Sequence, residues 1–121
     1  MTQRVLSVGN CAYDQSNLQR VLKQHFRVEI DSADDAVSAR KMINENDYNI
    51  VLINRVFDSN NESGIEFIKQ LKKNESEIPV MLISNFDEYQ QQAMAEGAVQ
   101  GFGKSSIGRP EFVELMMQYL N

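Results

Sequence analysis

Cysteine, histidine, proline and tryptophan are scarce in this chain of 121 residues, which has one cysteine, one histidine, two prolines and no tryptophan. A single cysteine, Cys11, excludes an internal disulfide. Since His25 is the only histidine, a zinc site built from several cysteines and histidines is excluded as well. Because disulfides are typical of oxidising compartments, we expect this chain to function in a reducing one, the cytoplasm.

Clusters of basic residues and long apolar segments are also missing. The formal net charge is −5 and the basic residues are scattered along the chain, so a nucleic acid is not an expected partner. The longest apolar runs, such as residues 50–53, are far shorter than the roughly 18 residues of a membrane-spanning segment. The first residues show no basic stretch followed by an apolar one. We therefore expect no targeting segment and no membrane contact.

What the sequence does contain is a regular alternation of two apolar patterns. Short segments rich in β-branched residues are typical of strands, and five occur: residues 5–8, 28–30, 50–53 and 80–83, with a weaker one around Phe102. Between and after them, apolar residues recur with a period near 3.6, which predicts five amphipathic helices. The length and an apolar content of 42% fit one globular domain over residues 1–121.

Five strands that alternate with five helices predict a parallel sheet with helices on both faces, because parallel neighbours require crossover connections. The third and fourth strands are apolar at consecutive positions, as expected of strands that are buried on both faces. The predicted fold class is therefore α/β, with a doubly wound five-stranded parallel sheet.

Residues that begin and end helices support this interpretation. Ser32, with Asp35 three residues later, resembles a capping box, and Asp14 and Asp87 are candidate caps of the first and fourth helices. Gly97 is the expected stop after the fourth helix.

In such folds, ligands bind outside the carboxyl ends of the strands, where the strand order switches. A set of small and polar residues is delivered to that edge: Gly9, Asn10 and Cys11 after the first strand, Asn54 after the third, Ser84 and Asn85 after the fourth, and Lys104 after the fifth. A functional site is expected among them.

Four segments together resemble the response-regulator receiver domain of two-component signalling. "RVLSVGN" (residues 4–10) stands where that family has a strand ending in two acidic residues, and "IVLIN" (50–54) where a strand ends in the phosphoacceptor aspartate. "IPVMLIS" (78–84) stands where a strand ends in serine or threonine, and "EGAVQGFGK" (96–104) where a Gly-Ala pair leads to an aromatic residue and a lysine. The resemblance covers nearly the whole chain and implies a flavodoxin-like (βα)5 fold with strand order 2-1-3-4-5.

Three site positions match the family. By the resemblance, Ser84 is the hydroxyl residue, Phe102 the switch aromatic and Lys104 the phosphate-contacting lysine. The loop between Asn54 and Gly64 is two residues longer than is usual in the family.

The acidic positions of the family are not matched. Gly9 and Asn10 stand in place of the pair that holds the metal, and Asn54 stands in place of the nucleophile. An amide cannot act as that nucleophile, because its nitrogen lone pair is delocalised into the carbonyl. Magnesium prefers anionic oxygens, which glycine and asparagine lack. We therefore predict a degenerate phosphoacceptor site, composed of these three residues with Ser84 and Lys104, and no catalytic residue, metal or cofactor.

The missing acids favour a phosphorylation-independent signalling module that acts through protein contacts and is not an enzyme. The resemblance implies a partner surface on the fourth helix, fifth strand and fifth helix. The last helix has two apolar stripes, and we expect the one formed by Val113, Met117 and Leu120 to be exposed for a partner. A second copy of the chain is one candidate partner. The alternative is a terminal helix that is buried more broadly.

Two other functions stay open. One is a phosphoaccepting receiver that uses Asp58 or Asp14 as the acceptor. The other is a flavodoxin-like site for a small anion or nucleotide, although "GNCAYD" (residues 9–14) lacks the glycines of a phosphate-binding loop. Cys11 is a candidate reactive thiol only if the Lys104 ammonium lies nearby, and is otherwise a small buried residue.

Overall fold

The computed structural model describes residues 2–121, in which strands and helices alternate along the chain. The elements are β1 (Gln3–Val8), α1 (Ala12–His25), β2 (Val28–Ala33), α2 (Ala36–Glu45), β3 (Ile50–Asn54), α3 (Gly64–Lys73), β4 (Val80–Ile83), α4 (Asp87–Ala95), β5 (Val99–Phe102) and α5 (Pro110–Met116). A short 3-10 turn, Lys104–Ser106, precedes α5. The predicted alternation of five strands and five helices is confirmed. None of the helices in this part of the chain is long and apolar enough to cross a membrane.

The strands form one parallel sheet in the order β2-β1-β3-β4-β5, which confirms the expected fold and strand order. In the register of the sheet, Val8 lies opposite both Ala33 and Ile53, and Asn54 lies opposite Ile83. The carboxyl ends of the four strands β1 to β4 are therefore nearly level. Residues that follow them share one edge of the sheet, as expected for parallel strands.

Each face of the sheet has its own apolar core. Val51 and Ile53 of β3 point to the face covered by α2, α3 and α4, whereas Ile50 and Leu52 point to the face covered by α1 and α5. Every residue of β3 and β4 is buried, as their consecutive apolar residues predicted. Since a fully buried aliphatic side chain contributes about 1.5–3 kcal/mol, these two strands form a stable base for the residues that follow them.

The start of α2 differs from the predicted capping box. The Ser38 N–H donates to Asp35 Oδ1 at 2.8 Å, and the Asp35 N–H reaches Ser38 Oγ, so the box lies at Asp35 and Ser38. The prediction placed it three residues earlier, at Ser32 and Asp35. Because β2 continues through Ala33, Ser32 is still part of the sheet.

The predicted caps of α1 and α4 were wrong, whereas the stop after α4 is confirmed. Helices α1 and α4 begin after Cys11 and Phe86, and neither residue makes a side-chain cap bond. Asp14 and Asp87 instead lie inside the first turns, where a negative charge is favoured by the helix dipole. Gly97 has a φ of +108° just past the end of α4, a conformation that glycine adopts readily.

The end of the chain is buried more deeply than predicted. α5 stops four residues before Leu120, and the chain then turns so that Leu120 is 2% exposed and belongs to the core. The Gln3 side chain exchanges hydrogen bonds with the backbone of Asn121, at 3.0 and 2.6 Å, and so holds this turn against β1. Met117 is 62% exposed, but Val113 is half-buried and packs against the core. The prediction of a continuous exposed stripe was therefore wrong.

Candidate functional site

The carboxyl edge of the sheet carries a small open cavity of about 210 Å³. Its lining includes three of the predicted site residues, Asn54, Ser84 and Lys104, together with Arg55 and Phe86. The structure thus brings together residues that follow β3, β4 and β5. Neither Arg55 nor Phe86 was singled out from the sequence, although both directly follow residues that were.

Asn54 is 8% exposed and acts as a hydrogen-bond donor. Its Nδ2 donates to the Gly9 carbonyl at 3.0 Å and to the Val56 carbonyl at 2.8 Å. Both partners are acceptors, so the nitrogen of the amide, and not its oxygen, must face them. The Gly9 carbonyl also accepts the Asp58 N–H at 2.9 Å. The Gly9 carbonyl at the end of β1 therefore accepts two hydrogen bonds, one from Asn54 and one from the β3–α3 loop (residues 55–63).

Gly9 has no room for a side chain in this structure. Its φ is +79°, in the left-handed region, and a Cβ placed on it would overlap Cδ1 of Phe57 and lie 2.8 Å from Cγ. Phe57 is fully buried, its N–H donates to the Glu62 carbonyl at 2.9 Å, and its ring packs edge-on against Phe67. Because the ring is held in this way, a carboxylate at position 9 does not fit beside it.

Asn10 bonds within its own segment and lines a different cavity from Asn54. Its Nδ2 donates to Oγ of the buried Ser7 at 2.6 Å. Together with Cys11, Asp34 and Asp58, it lines a second, more polar cavity of about 410 Å³. Asn10 and Asn54 thus use their amide nitrogens for separate hydrogen bonds within the chain.

The residues present do not fit the divalent metal that the family resemblance implies. Gly9 offers no side-chain oxygen, Asn10 is engaged with Ser7, and Asn54 directs its N–H groups toward the carbonyl oxygens beside it. Magnesium needs hard and preferably anionic oxygens. Within residues 2–121, no group of three or more histidine, cysteine, aspartate or glutamate side chains is arranged to hold a metal.

Lys104 is paired with Asp14, a contact that the sequence did not indicate. Its Nζ lies 2.7 Å from Asp14 Oδ2, and this hydrogen bond lowers the pKa of the Asp14 carboxyl, with partial burial opposing it. Cys11 Sγ donates to the same oxygen at 3.3 Å. The Lys104 charge is therefore directed at Asp14, and Cys11 contacts the carboxylate of this pair. Ninety residues separate the partners, so no local pattern points to the contact.

Ser84 and Phe102 are joined by the backbone of the two last strands. The Ser84 N–H donates to the Phe102 carbonyl at 2.9 Å, and Ser84 Oγ accepts from the Phe86 N–H at 3.2 Å. The Phe102 ring is buried and packs edge-on against Phe112, with the ring centroids 4.7 Å apart. The aromatic residue of the site thus points into the core between β5 and α5.

Gln90 is a buried polar residue that the sequence did not reveal. Its Nε2 lies within hydrogen-bond distance of the carbonyls of Leu82, Ser84 and Phe102, at 2.9, 3.1 and 3.3 Å, so that its two hydrogens are shared among three acceptors. Its Oε1 accepts the Gly101 N–H at 3.2 Å. The register between β4 and β5 is irregular at this point, so the glutamine satisfies backbone groups that the irregular pairing leaves available. Gln90 lies in a run of three glutamines, of which the pattern distinguishes none.

An exposed aromatic surface adjoins the cavity. Phe86 is 57% exposed and packs edge-on against Tyr89, and the Arg55 guanidinium lies 4.4 Å from the centre of the Tyr89 ring. Such a cation–π contact contributes about 0.5–1 kcal/mol at an exposed site. It holds Arg55 over α4, at the rim of the cavity.

A parallel sheet in this order, with a small polar site at its carboxyl edge, defines a doubly wound, flavodoxin-like α/β domain. The family model described as the response regulator receiver domain matches residues 5–115. The chain therefore belongs to the response regulator receiver domain family.

Solved structures show the same fold. The response regulator receiver protein from Pseudomonas putida is 20% identical with a TM-score of 0.80, and the match covers 98% of both chains. The signal receiver domain of a DNA binding response regulator from Colwellia psychrerythraea 34H is 17% identical with a TM-score of 0.79, and the match covers 96% of both. NtrX from Brucella abortus is 23% identical with a TM-score of 0.78, and this chain, 99% covered, spans 27% of its length. None of the curated proteins matches the chain.

Proposed function

We propose that this receiver domain signals through protein contacts and independently of phosphorylation, and that it is a cytoplasmic module and not an enzyme. The observation that carries the proposal is the direction of the Asn54 amide, which donates to the Gly9 and Val56 carbonyls. A phosphoacceptor presents an oxygen nucleophile to the incoming phosphorus. At this position the chain presents N–H donors that are already satisfied.

The charges around the cavity support the same proposal. Stabilising a transferred phosphoryl group requires cations that neutralise the developing charge. Lys104 is bound to Asp14 at 2.7 Å, and Arg55 lies over the Tyr89 ring. With no carboxylates at positions 9 and 10 to hold a metal, the site lacks the electrostatic elements of phosphoryl transfer.

Receiver domains interact with partner proteins such as kinases and effector domains. For this chain we propose that the partner binds the face formed by α4, β5 and α5, and a second copy of the chain remains a candidate. Met117, directly after the end of α5, is exposed, and Val113 of α5 is half-buried, whereas Leu120 is buried and is no longer part of the proposed face. Methionine suits such a contact because its side chain adapts to different partners.

The proposal is tested by incubating the domain with acetyl phosphate and Mg²⁺ and measuring its intact mass. A receiver domain with an acceptor aspartate, treated in parallel, is the positive control. We expect the control to gain a phosphoryl group and the mass of this chain to stay unchanged. A gain of one phosphoryl group by this chain would overturn the proposal.

A second candidate function, a receiver that accepts the phosphoryl group at another aspartate, is supported by the position of Asp58. Its side chain is exposed and lines the polar cavity shared with Asn10 and Asp34. Asp14, the other candidate, is engaged by Lys104. If mass is gained, Asp58→Asn and Asp14→Asn identify the acceptor, because only one of them should abolish the gain.

A further inference from the structure

We propose that Asn54 is a positioning residue that holds the β3–α3 loop against the end of β1, and that this role requires a hydrogen-bond donor at position 54. An aspartate, the residue that the family carries there, would therefore release the loop in this chain. The role does not depend on whether another residue accepts a phosphoryl group, so it stands or falls separately from the proposed function.

The hydrogen-bond donors of the Asn54 side chain are all in use. An amide nitrogen has two hydrogens, and both are used, one on the Gly9 carbonyl and one on the Val56 carbonyl. The Gly9 carbonyl uses its second lone pair for the Asp58 N–H. The Asn54 side chain thus links the carbonyl at the end of β1 to residue 56 of the loop. Two residues later, the backbone N–H of Asp58 donates to the same Gly9 carbonyl.

The rest of the loop packs and bonds around this link. Phe57 is buried between the two bonded positions, where it fills the space beside Gly9. At the base of the loop, Val56 pairs with Ser63, and the Gly64 N–H donates to the Arg55 carbonyl at 2.7 Å. The loop is therefore closed on itself at its base, and Asn54 and Asp58 provide its hydrogen bonds to Gly9.

A carboxylate of the same size at position 54 would turn an attractive contact into a repulsive one. It has no hydrogen to donate, and it would place a negative oxygen against two carbonyl oxygens that both lose the Asn54 donor. A protonated carboxyl group has one donor and would restore one of the two bonds. The charged groups near it are Lys104 and Arg55 across the cavity, with Lys104 held by Asp14, and Asp58 in the loop. The effect of the substitution should therefore depend on pH.

Asn85 provides a matched control at the same edge of the sheet. Its Oδ1 accepts from the Ser105 N–H at 3.2 Å and from Ser105 Oγ at 3.0 Å. Its bonds to Ser105 use the oxygen, which an aspartate retains. Asn85→Asp and Asn54→Asp make the same chemical change and add the same charge, but only Asn54→Asp removes a donor that is in use.

The test is hydrogen exchange of the Asp58 amide and of residues 55–63, measured as protection factors at pH 7.5 and pH 4.5. At pH 7.5 we expect Asn54→Asp to lower the protection of the Asp58 amide by about tenfold or more, which corresponds to about 1.4 kcal/mol. Asn85→Asp should change it by less than about twofold. At pH 4.5 the difference between the two variants should shrink, since burial beside two carbonyl oxygens raises the pKa of a carboxyl group at position 54 and favours its protonated form.

A second variant keeps the proposal testable if Asn54→Asp fails to fold at pH 7.5. Asn54→Ala removes the donor without adding a charge, so it should expose the loop at both pH values with no recovery in acid. Equal protection in Asn54→Asp and Asn85→Asp at pH 7.5 would overturn the proposal. So would wild-type protection of the Asp58 amide in Asn54→Ala.

Discussion

Replacing Gly9 with alanine tests whether Phe57 prevents a side chain at the position where the family carries an acid. The substitution adds one methyl group at a φ of +79° and directs it at the Phe57 ring. A left-handed backbone costs a residue with a Cβ about 1–2 kcal/mol, and overpacking a buried ring costs about 1–3 kcal/mol. We expect Gly9→Ala to lower the free energy of unfolding by about 2–5 kcal/mol, a large part of the roughly 5–15 kcal/mol of a typical domain.

Gly108 separates the two contributions. It also has a positive φ, +90°, but the nearest atom to a Cβ placed there is Val21 Cγ2 at 3.8 Å, an ordinary contact. Gly108→Ala should therefore cost only the conformational part, about 1–2 kcal/mol. Urea unfolding followed by far-UV circular dichroism measures both, and suits a chain without tryptophan. Equal costs for the two variants, within about 0.5 kcal/mol, would refute the steric explanation.

A double-mutant cycle identifies the ring as the cause. Phe57→Leu shortens the side chain that faces Gly9, so Gly9→Ala should cost less in the Phe57→Leu background than in the wild-type protein. We expect an interaction free energy of about 1 kcal/mol or more. Additive costs would show that Phe57 is not what excludes a side chain at position 9.

Three further variants test other contacts of the structure, each by urea unfolding. Lys104→Met should lower stability by roughly 0.5–1 kcal/mol at pH 7, because the ion pair is partly exposed. The folded-state pKa of Asp14 is lowered, so the pair stabilises the fold when the pH is above the ordinary pKa of 3.8. The stability difference between Lys104→Met and wild type should vanish as the pH falls through the lowered pKa, and a constant difference down to acid pH would contradict the pairing. Gln90→Ala should cost about 2–4 kcal/mol, because it leaves buried backbone groups without partners. Gln91→Ala, at an exposed position, should cost under about 0.5 kcal/mol. Similar costs for the two variants would contradict the role of Gln90. Leu120→Ala should cost about 2–5 kcal/mol, because Leu120 is buried in the core. No change in stability would contradict its burial.

The fold could be predicted because its signals are local and repeated. The apolar runs at residues 50–53 and 80–83 are consecutive, and strands of this kind are stable only when both faces are covered. Five alternations of strand and helix leave few arrangements, since crossover connections between parallel strands are right-handed. The same logic placed Asn54, Ser84 and Lys104 at one edge, and the structure puts all three around one cavity.

The helix ends were harder to predict, for a reason that Asp14 illustrates. An aspartate near the start of a helix either caps it or serves another partner, and the local sequence does not distinguish the two. Asp14 binds Lys104, which comes from the far end of the chain. Leu120 shows the same limit, because the hydrogen bonds between Gln3 and Asn121 turn it into the core.

By itself, the sequence determined the α/β sheet and the chemical nature of its edge, since residue types decide burial and decide that positions 9, 10 and 54 carry no acid. Only the tertiary structure decided how those residues are used: that the Asn54 amide donates to a carbonyl 45 residues away, that Phe57 fills the space beside Gly9, and that Gln90 joins α4 to β4 and β5. The physical reason is that hydrogen bonds and close packing depend on direction and distance between residues far apart in the chain, which apolar periodicity does not encode.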